Sequence, residues 1–199
     1  MAGPAKVALD EVSEPRLMLV LTHGAGGGVD SADVLAARRA GLDADGVVAL
    51  VTQPYRVGGA RAPGSAIRQD AAWQEVIAAL RQEYPGLPLI QGGRSNGARV
   101  ACRTAAAVAA AGVIALAFPL HPPGKADQPD KSRAGELRSA GVPVLVINGD
   151  RDPFGIPAAA DADRLVVLPG DTHALSRNPV AIAAAVGAWL ADLKLPAAG

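Results

Sequence analysis

Few residues of this chain are equipped for chemistry, and they fall in short polar stretches between apolar runs. Ser95 stands in Gly93-Arg94-Ser95-Asn96-Gly97, a G-x-S-x-G pattern. A serine held on a sharp strand-to-helix turn needs small residues two positions to either side, because larger ones would collide with the strand and helix. Such a turn projects the hydroxyl beyond the strand, and the following helix N-terminus favours negative charge beneath it. The pattern is weak alone in a chain with 23 glycines, and the strand–turn–helix context gives it weight.

A nucleophilic serine needs a base, and the base needs an orienting acid. Where the nucleophile sits on such a turn, the chain order is serine, then acid, then histidine, each after a strand. Val144–Asn148 leads into Gly149-Asp150-Arg151-Asp152, and Arg164–Leu168 leads into Pro169-Gly170-Asp171-Thr172-His173. Asp152 is the expected acid, with Asp150 in the same turn as its rival, and His173 is the expected general base and acid. The tetrahedral oxyanion would require backbone N–H donors: one from Asn96, after the serine, and one from the early loop His23-Gly24-Ala25-Gly26-Gly27-Gly28. Ala25 is the first choice within that loop and Gly26 the alternative.

Other residues carry less. His23 is placed to brace the glycine loop by a hydrogen bond. Tyr55, Arg56 and His121 follow strand-like runs and either line a substrate site or brace their loops. Cys102 reads as a small buried residue, and Trp73 and Trp189 as core on helix faces. No H-x-x-x-H or Cys/His pair has ligand spacing, so no metal is expected. The glycine loop lacks both G-x-x-x-x-G-K-[ST] and G-x-G-x-x-G, so no nucleotide cofactor is expected either.

The elements that must position these residues follow from hydrophobic periodicity. Strands are expected at 16–22, 46–52, 87–91, 113–118, 142–148 and 164–168, with an antiparallel edge strand from Lys6 to Val12. Helices are expected from Asp30 or Ser31 to Ala40, over 65–83 with Ile67, Ala71, Val76, Ile77 and Leu80 at helical spacing, over 96–111, 133–140 and 179–193. This alternation predicts a single α/β domain over residues 1–199, a mostly parallel sheet with helices on both faces. In such sheets ligands bind beyond the carboxyl ends of the strands, where nearly every residue named above falls. The loop at 121–133 is too short for a helical cap, so an open, shallow site is expected.

Composition agrees. Of 199 residues, 50% are apolar but only 3% aromatic, so the core must be built from Ala, Val, Leu and Ile. Formal net charge is zero, which argues against nucleic-acid or anionic-membrane surfaces. No run approaches a transmembrane span, the start is too polar for a secretory signal, and the one cysteine fits a reducing compartment, so a cytoplasmic protein is expected.

With these residues assembled, the chain resembles the α/β-hydrolase superfamily, in its small, capless, dienelactone-hydrolase-like branch. It is most similar to compact bacterial hydrolases related to the hydrolase-like domain of a chromatin acetyltransferase complex subunit. The segments LTHGAGGG, QPYRVGGARAP, GGRSNGAR, FPLHPPGK, GDRDPFG and PGDTHAL carry the resemblance in order along nearly the whole chain. The resemblance implies Ser95, Asp152 and His173 as triad positions. Dienelactone hydrolases use a cysteine nucleophile, so serine at this position argues against their substrate. The expected function is cofactor-free hydrolysis of a small carboxylic ester through an acyl-enzyme. The alternatives are a thioesterase, amidase or peptidase with the same triad, an acyltransferase, and a hydrolase-fold binding or scaffold protein without efficient catalysis. Oligomeric state is left open.

Overall fold

Runs of Val, Leu and Ile bounded by Gly, Pro and Asp form strands because branched side chains fit a pleated surface and the bounding residues end it. The computed structural model describes residues 3–195. Its strands are β1 (Lys6–Asp10), β2 (Leu17–Thr22), β3 (Gly46–Thr52), β4 (Leu89–Arg94), β5 (Gly112–Leu116), β6 (Val144–Gly149) and β7 (Arg164–Leu168). They form one seven-stranded sheet in the order β1-β3-β2-β4-β5-β6-β7. Only β1 is antiparallel, against β3.

The central strands are buried on both faces, yet their side chains still alternate between two cores. Met18 and Val20 of β2, with Val47, Ala49 and Val51 of β3, enter one core; Leu17, Leu19, Leu21, Val48 and Leu50 enter the other. The first core is covered by α3 (Ala66–Glu83), α4 (Asn96–Thr104) and α5 (Ala134–Arg138), and the second by α1 (Ala32–Asp43) and α6 (Pro179–Asp192). A single further turn, α2 (Pro54–Val57), follows β3. No additional cap covers the sheet, and the connection from β5 to α5 contains only a 3-10 turn at Pro129–Lys131.

Several boundaries differ from the sequence reading. β4 continues through Gly92 and Gly93 to Arg94 instead of stopping at Gln91. These glycines are in the strand because nothing larger fits: a Cβ on Gly92 would collide with the Ile114 carbonyl, and one on Gly93 would lie 2.6 Å from that of Thr22. The helix expected over 96–111 stops at Thr104. Beyond it Ala109 turns left-handed (φ 48°), and the Val108 and Ala109 carbonyls accept from Arg81 Nη2 at 2.8 and 2.9 Å. On α3 the buried face is Gln69, Ala72, Trp73, Ile77 and Leu80, whereas Ile67 is 82% exposed and Ala71 faces water. Ile77 and Leu80 are buried and Val76 packs against the core as expected, so only the first turns of the helix differ.

The register levels the strand ends that matter. Thr22 pairs with both Val51 and Gly93, Arg94 with Leu116, and Leu116 with Ile147. The residues after them leave the sheet side by side.

Candidate active site

Ser95 leaves β4 with φ 53° and ψ −111°, a backbone conformation that side chains disfavour. Two hydrogen bonds hold it there: Ser95 N–H donates to the Leu116 carbonyl (2.8 Å), and the Ser95 carbonyl accepts from Arg99 N–H (3.2 Å). Close packing accounts for the motif's second glycine. A Cβ on Gly97 would lie 2.7 Å from the His23 carbonyl.

His173, in the loop after β7, brings Nε2 to 2.9 Å from Ser95 Oγ, while its Nδ1 lies 2.8 Å from Asp152 Oδ2. The carboxylate selects the tautomer with hydrogen on Nδ1, so the Nε2 lone pair faces the hydroxyl. Asp152 is buried and each of its oxygens is also bonded otherwise. Oδ1 accepts from Phe154 N–H (2.9 Å) and Oδ2 from Asn148 Nδ2 (3.3 Å). Asn148 in turn accepts from Phe118 N–H at 2.9 Å, joining the ends of β5 and β6. Asp150 does something else: from an exposed position its Oδ1 accepts from Gly170 N–H at 2.8 Å, closing the turn after β7. Asp152 and His173 therefore meet, and Asp150 does not join them. Phe154 leans edge-on against the His173 ring, centroids 4.4 Å apart at 65°.

On the other side of Ser95 lies the glycine loop. Ala25 is half-buried and Gly26 exposed, and among the described residues the N–H groups of Ala25, Gly26 and Asn96 donate to no protein acceptor. Tyr55 Oη donates to the Ala25 carbonyl at 3.1 Å, and burial pushes its phenol up to about 12, so it remains a neutral donor. Fully buried His23 bridges two loops, its Nδ1 at 2.8 Å from the Gly24 carbonyl and its Nε2 accepting from Gln53 N–H at 3.0 Å. That arrangement requires a neutral ring, and burial moves its pKa below the ordinary value. The Asn96 side chain is tied to α3, donating to Gln69 Oε1 at 2.7 Å.

Of the expected pocket residues, Tyr55 thus braces the loop. Arg56 reaches only the Ala60 carbonyl, at 3.4 Å. His121 is buried behind the Phe154 loop: its N–H donates to the Phe154 carbonyl (2.9 Å), and its Nδ1 has no partner. Cys102 is enclosed, and burial pushes its thiol up, far from a reactive thiolate.

Sequence reasoning missed Arg94 and Asp33. Arg94 Nη2 donates to the His173 carbonyl at 2.8 Å, and its Nε lies 3.2 Å from Oδ2 of fully buried Asp33. That approach is a charge contact rather than an aligned hydrogen bond, since neither atom has a hydrogen-bond partner. Burial raises the Asp33 carboxyl above its ordinary value, while the neighbouring Ser31 hydroxyl, which forms no hydrogen bond with it, and the Arg94 charge pull it down. Asn148 was equally missed, though a polar residue ending an apolar strand was a legible signal.

A groove of about 1130 Å³ between α1 and α6 lies beside Leu17 and Asp45 at the amino ends of the strands, away from Ser95. It lacks a nucleophile–base pair and is not the candidate site. No helix of the described residues is long and apolar enough to cross a membrane, and no three His, Cys, Asp or Glu residues gather as a metal site.

Three solved structures share the fold. A lidless α/β serine hydrolase from Xanthomonas campestris is 24% identical with a TM-score of 0.72, over 100% of this chain and 93% of that one. An alpha-beta serine hydrolase homologue from Coxiella burnetii is 16% identical with a TM-score of 0.76, over 94% of each chain. A thermostable carboxyl esterase from Bacillus coagulans is 14% identical with a TM-score of 0.72, over 95% and 94%. No curated protein matches the chain significantly. A family model described as an alpha/beta hydrolase domain matches residues 15–168, from just before β2 to the end of β7, so it includes Ser95 and Asp152 and stops short of His173. With that match over most of its length, the chain belongs to the alpha/beta hydrolase domain family.

Proposed function

We propose that this protein is a serine hydrolase that cleaves small or accessible carboxylic esters without a cofactor. One observation carries the reading: two hydrogen bonds in series, Asp152 to His173 to Ser95, ending on a serine held at φ 53°. Ser95 Oγ attacks the ester carbonyl while His173 Nε2 takes its proton. Asp152 stabilises the imidazolium so formed and keeps the ring in register. The N–H groups of Asn96 and Ala25, with Gly26 as the alternative, receive the oxyanion, each contributing about 3–4 kcal/mol to lowering the barrier. The intermediate collapses as the leaving alkoxide takes the proton from Nε2. Water, deprotonated by the same nitrogen, then releases the acid and regenerates Ser95.

The absence of a cap supports accessible substrates, and esters are favoured because the Bacillus coagulans neighbour is a carboxyl esterase. Tyr55 supports the oxyanion loop from behind. The triad does not itself discriminate among leaving groups, so a panel of esters, thioesters and anilides decides that point.

The decisive test is labelling with a fluorophosphonate, followed by mass mapping, on wild type, Ser95→Ala and His173→Ala. One adduct, at Ser95, lost in the first variant and strongly slowed in the second, is expected. A folded wild-type protein that takes no label would sink the hydrolase reading and leave a binding or scaffold role.

A further inference from the structure

The loop carrying His173 is weakly held for a loop that must place a base within tenths of an ångström. Its ends are tied by Arg151 N–H on the Asp171 carbonyl (2.9 Å) and by buried Leu175. Between them Thr172 and Ala174 are exposed, and the remaining bonds are local: Leu175 N–H to the Thr172 carbonyl, Ala174 N–H to Thr172 Oγ1, and Ser176 and Arg177 N–H to Asp171 Oδ1. Among the described residues, the backbone of His173 makes a single hydrogen bond, from Arg94 Nη2 to its carbonyl, at 2.8 Å. Arg94 is well placed to act as an anchor. It adjoins Ser95, and its own backbone is fixed at the end of β4 opposite Leu116.

The guanidinium is itself held. Asp33 Oδ2 lies 3.2 Å from Nε, and the two side chains are 0% and 20% exposed respectively. A buried acid in the first turn of α1 would ordinarily be read as a helix cap. Here it is not one: Asp33 Oδ1 accepts only from its neighbour Val34, and Ser31, at the capping position, makes no cap bond. What Asp33 Oδ2 faces is Arg94. The third nitrogen, Nη1, stands 3.2 Å from where a Cβ on Gly24 would project, at the base of the glycine loop. One planar fork thus meets Asp33 at the start of α1, the histidine loop and the start of the oxyanion loop, a reach that a lysine point charge lacks.

We propose that Arg94, oriented by the buried Asp33 carboxylate, is the positioning residue of this site, anchoring the His173 backbone and so fixing the base against Ser95. Its effect on turnover rests on the serine-hydrolase reading; the anchoring itself does not. Loss of the anchor lets the imidazole wander, and a displacement of about 1 Å can cost about a hundredfold in rate. The anchor acts through His173, so the loss is expected in kcat rather than in KM.

The test pairs Arg94→Met with Asp33→Asn in one protein, so that no unpaired charge is left buried to unfold the chain, alongside Arg94→Lys. With p-nitrophenyl acetate, the double variant should lose about a hundredfold in kcat with KM within about twofold, and Arg94→Lys should recover part of the loss. Hydrogen exchange of peptides spanning 171–177 should accelerate in the double variant while those of β4 stay protected. A folded double variant with wild-type kcat or unchanged exchange at 171–177 would overturn the proposal. If wild type neither turns over nor takes a fluorophosphonate, the hydrolase reading fails, and exchange at 171–177 still decides whether Arg94 anchors the loop.

Discussion

Two buried carboxylates flank Ser95, and they are satisfied in opposite ways. Asp152 has hydrogen bonds on both oxygens, from Phe154 N–H, Asn148 Nδ2 and His173 Nδ1. Asp33 has one, from Val34, and presents its other oxygen to Arg94 without an aligned bond. The first faces a ring that, in the proposed mechanism, takes and returns a proton, so fixed hydrogen bonds hold the carboxylate in place through the exchange. The second faces a guanidinium that never loses its charge, so the permanent cation does that work. A transient charge is supported by hydrogen bonds from fixed neighbours, and a permanent one by a counter-charge.

The largest effects belong to the first carboxylate. Asp152→Asn should lower kcat about 10⁴-fold, because an amide there favours the wrong histidine tautomer. Ser95→Ala should go further, to about 10⁶-fold. Asp150→Asn, only two residues away, should stay within about twofold, since that side chain closes the turn at Gly170 and does not reach His173. Steady-state hydrolysis of p-nitrophenyl acetate checks all three. Equal losses at the two aspartates would mean that the turn as a whole, not the Asp152 carboxylate, supports the base.

The second carboxylate should appear in stability, and asymmetrically. Arg94→Met strands a fully buried acid, at a cost of about 3–4 kcal/mol near pH 7. Asp33→Asn leaves a cation that is 20% exposed and can hydrate, so about 1 kcal/mol is expected. The sign with pH follows from the stranded group. Without Arg94 the folded-state pKa of Asp33 rises further above its already raised wild-type value, so the penalty is absent where the carboxyl is protonated in both proteins and grows as pH rises past the wild-type folded value. Urea unfolding at pH 5 and pH 7 should therefore show the Arg94→Met loss shrinking on acidification, with about 1.4 kcal/mol per pH unit as the limiting slope. A loss independent of pH would assign Arg94 a packing role and dissolve the contrast between the two carboxylates.

The two carboxylates were not equally legible in the sequence. Asp152 was, because strand, turn and chain order converge on it, and β3 and β7 lie where the apolar runs placed them, at Gly46–Thr52 and Arg164–Leu168. Asp33 was not, because its partner is Arg94 and the beneficiary is His173, positions brought together only by the sheet order. The same physics explains the boundary errors. Gly92 and Gly93 mimic a loop but are strand, since only the neighbouring strands reveal that a Cβ has no room. The alanine run after Thr104 mimics helix, but its carbonyls are taken by Arg81 from α3. Local pattern fixes an element's type; where it ends depends on what it meets.

A pair of histidines extends the comparison and carries the smallest prediction. His173 has a carboxylate behind it and can accept a proton; His23 has the Gly24 carbonyl behind it and the Gln53 N–H in front. Protonating His23 would place two donors face to face at Nε2 and a charge in a fully buried site, which is why burial lowers its pKa from 6.5. As pH falls below 6.5 the unfolded chain takes up a proton that the folded chain refuses, so the stability His23 contributes is complete above that value and drains away below it. The loss grows with a limiting slope of about 1.4 kcal/mol per pH unit below 6.5. His23→Gln removes the titration, so the difference between its urea-unfolding profile and that of wild type should flatten above 6.5 and open below it. Parallel profiles would mean that His23 takes a proton in the fold, and the Gln53 contact would then have to break to admit it.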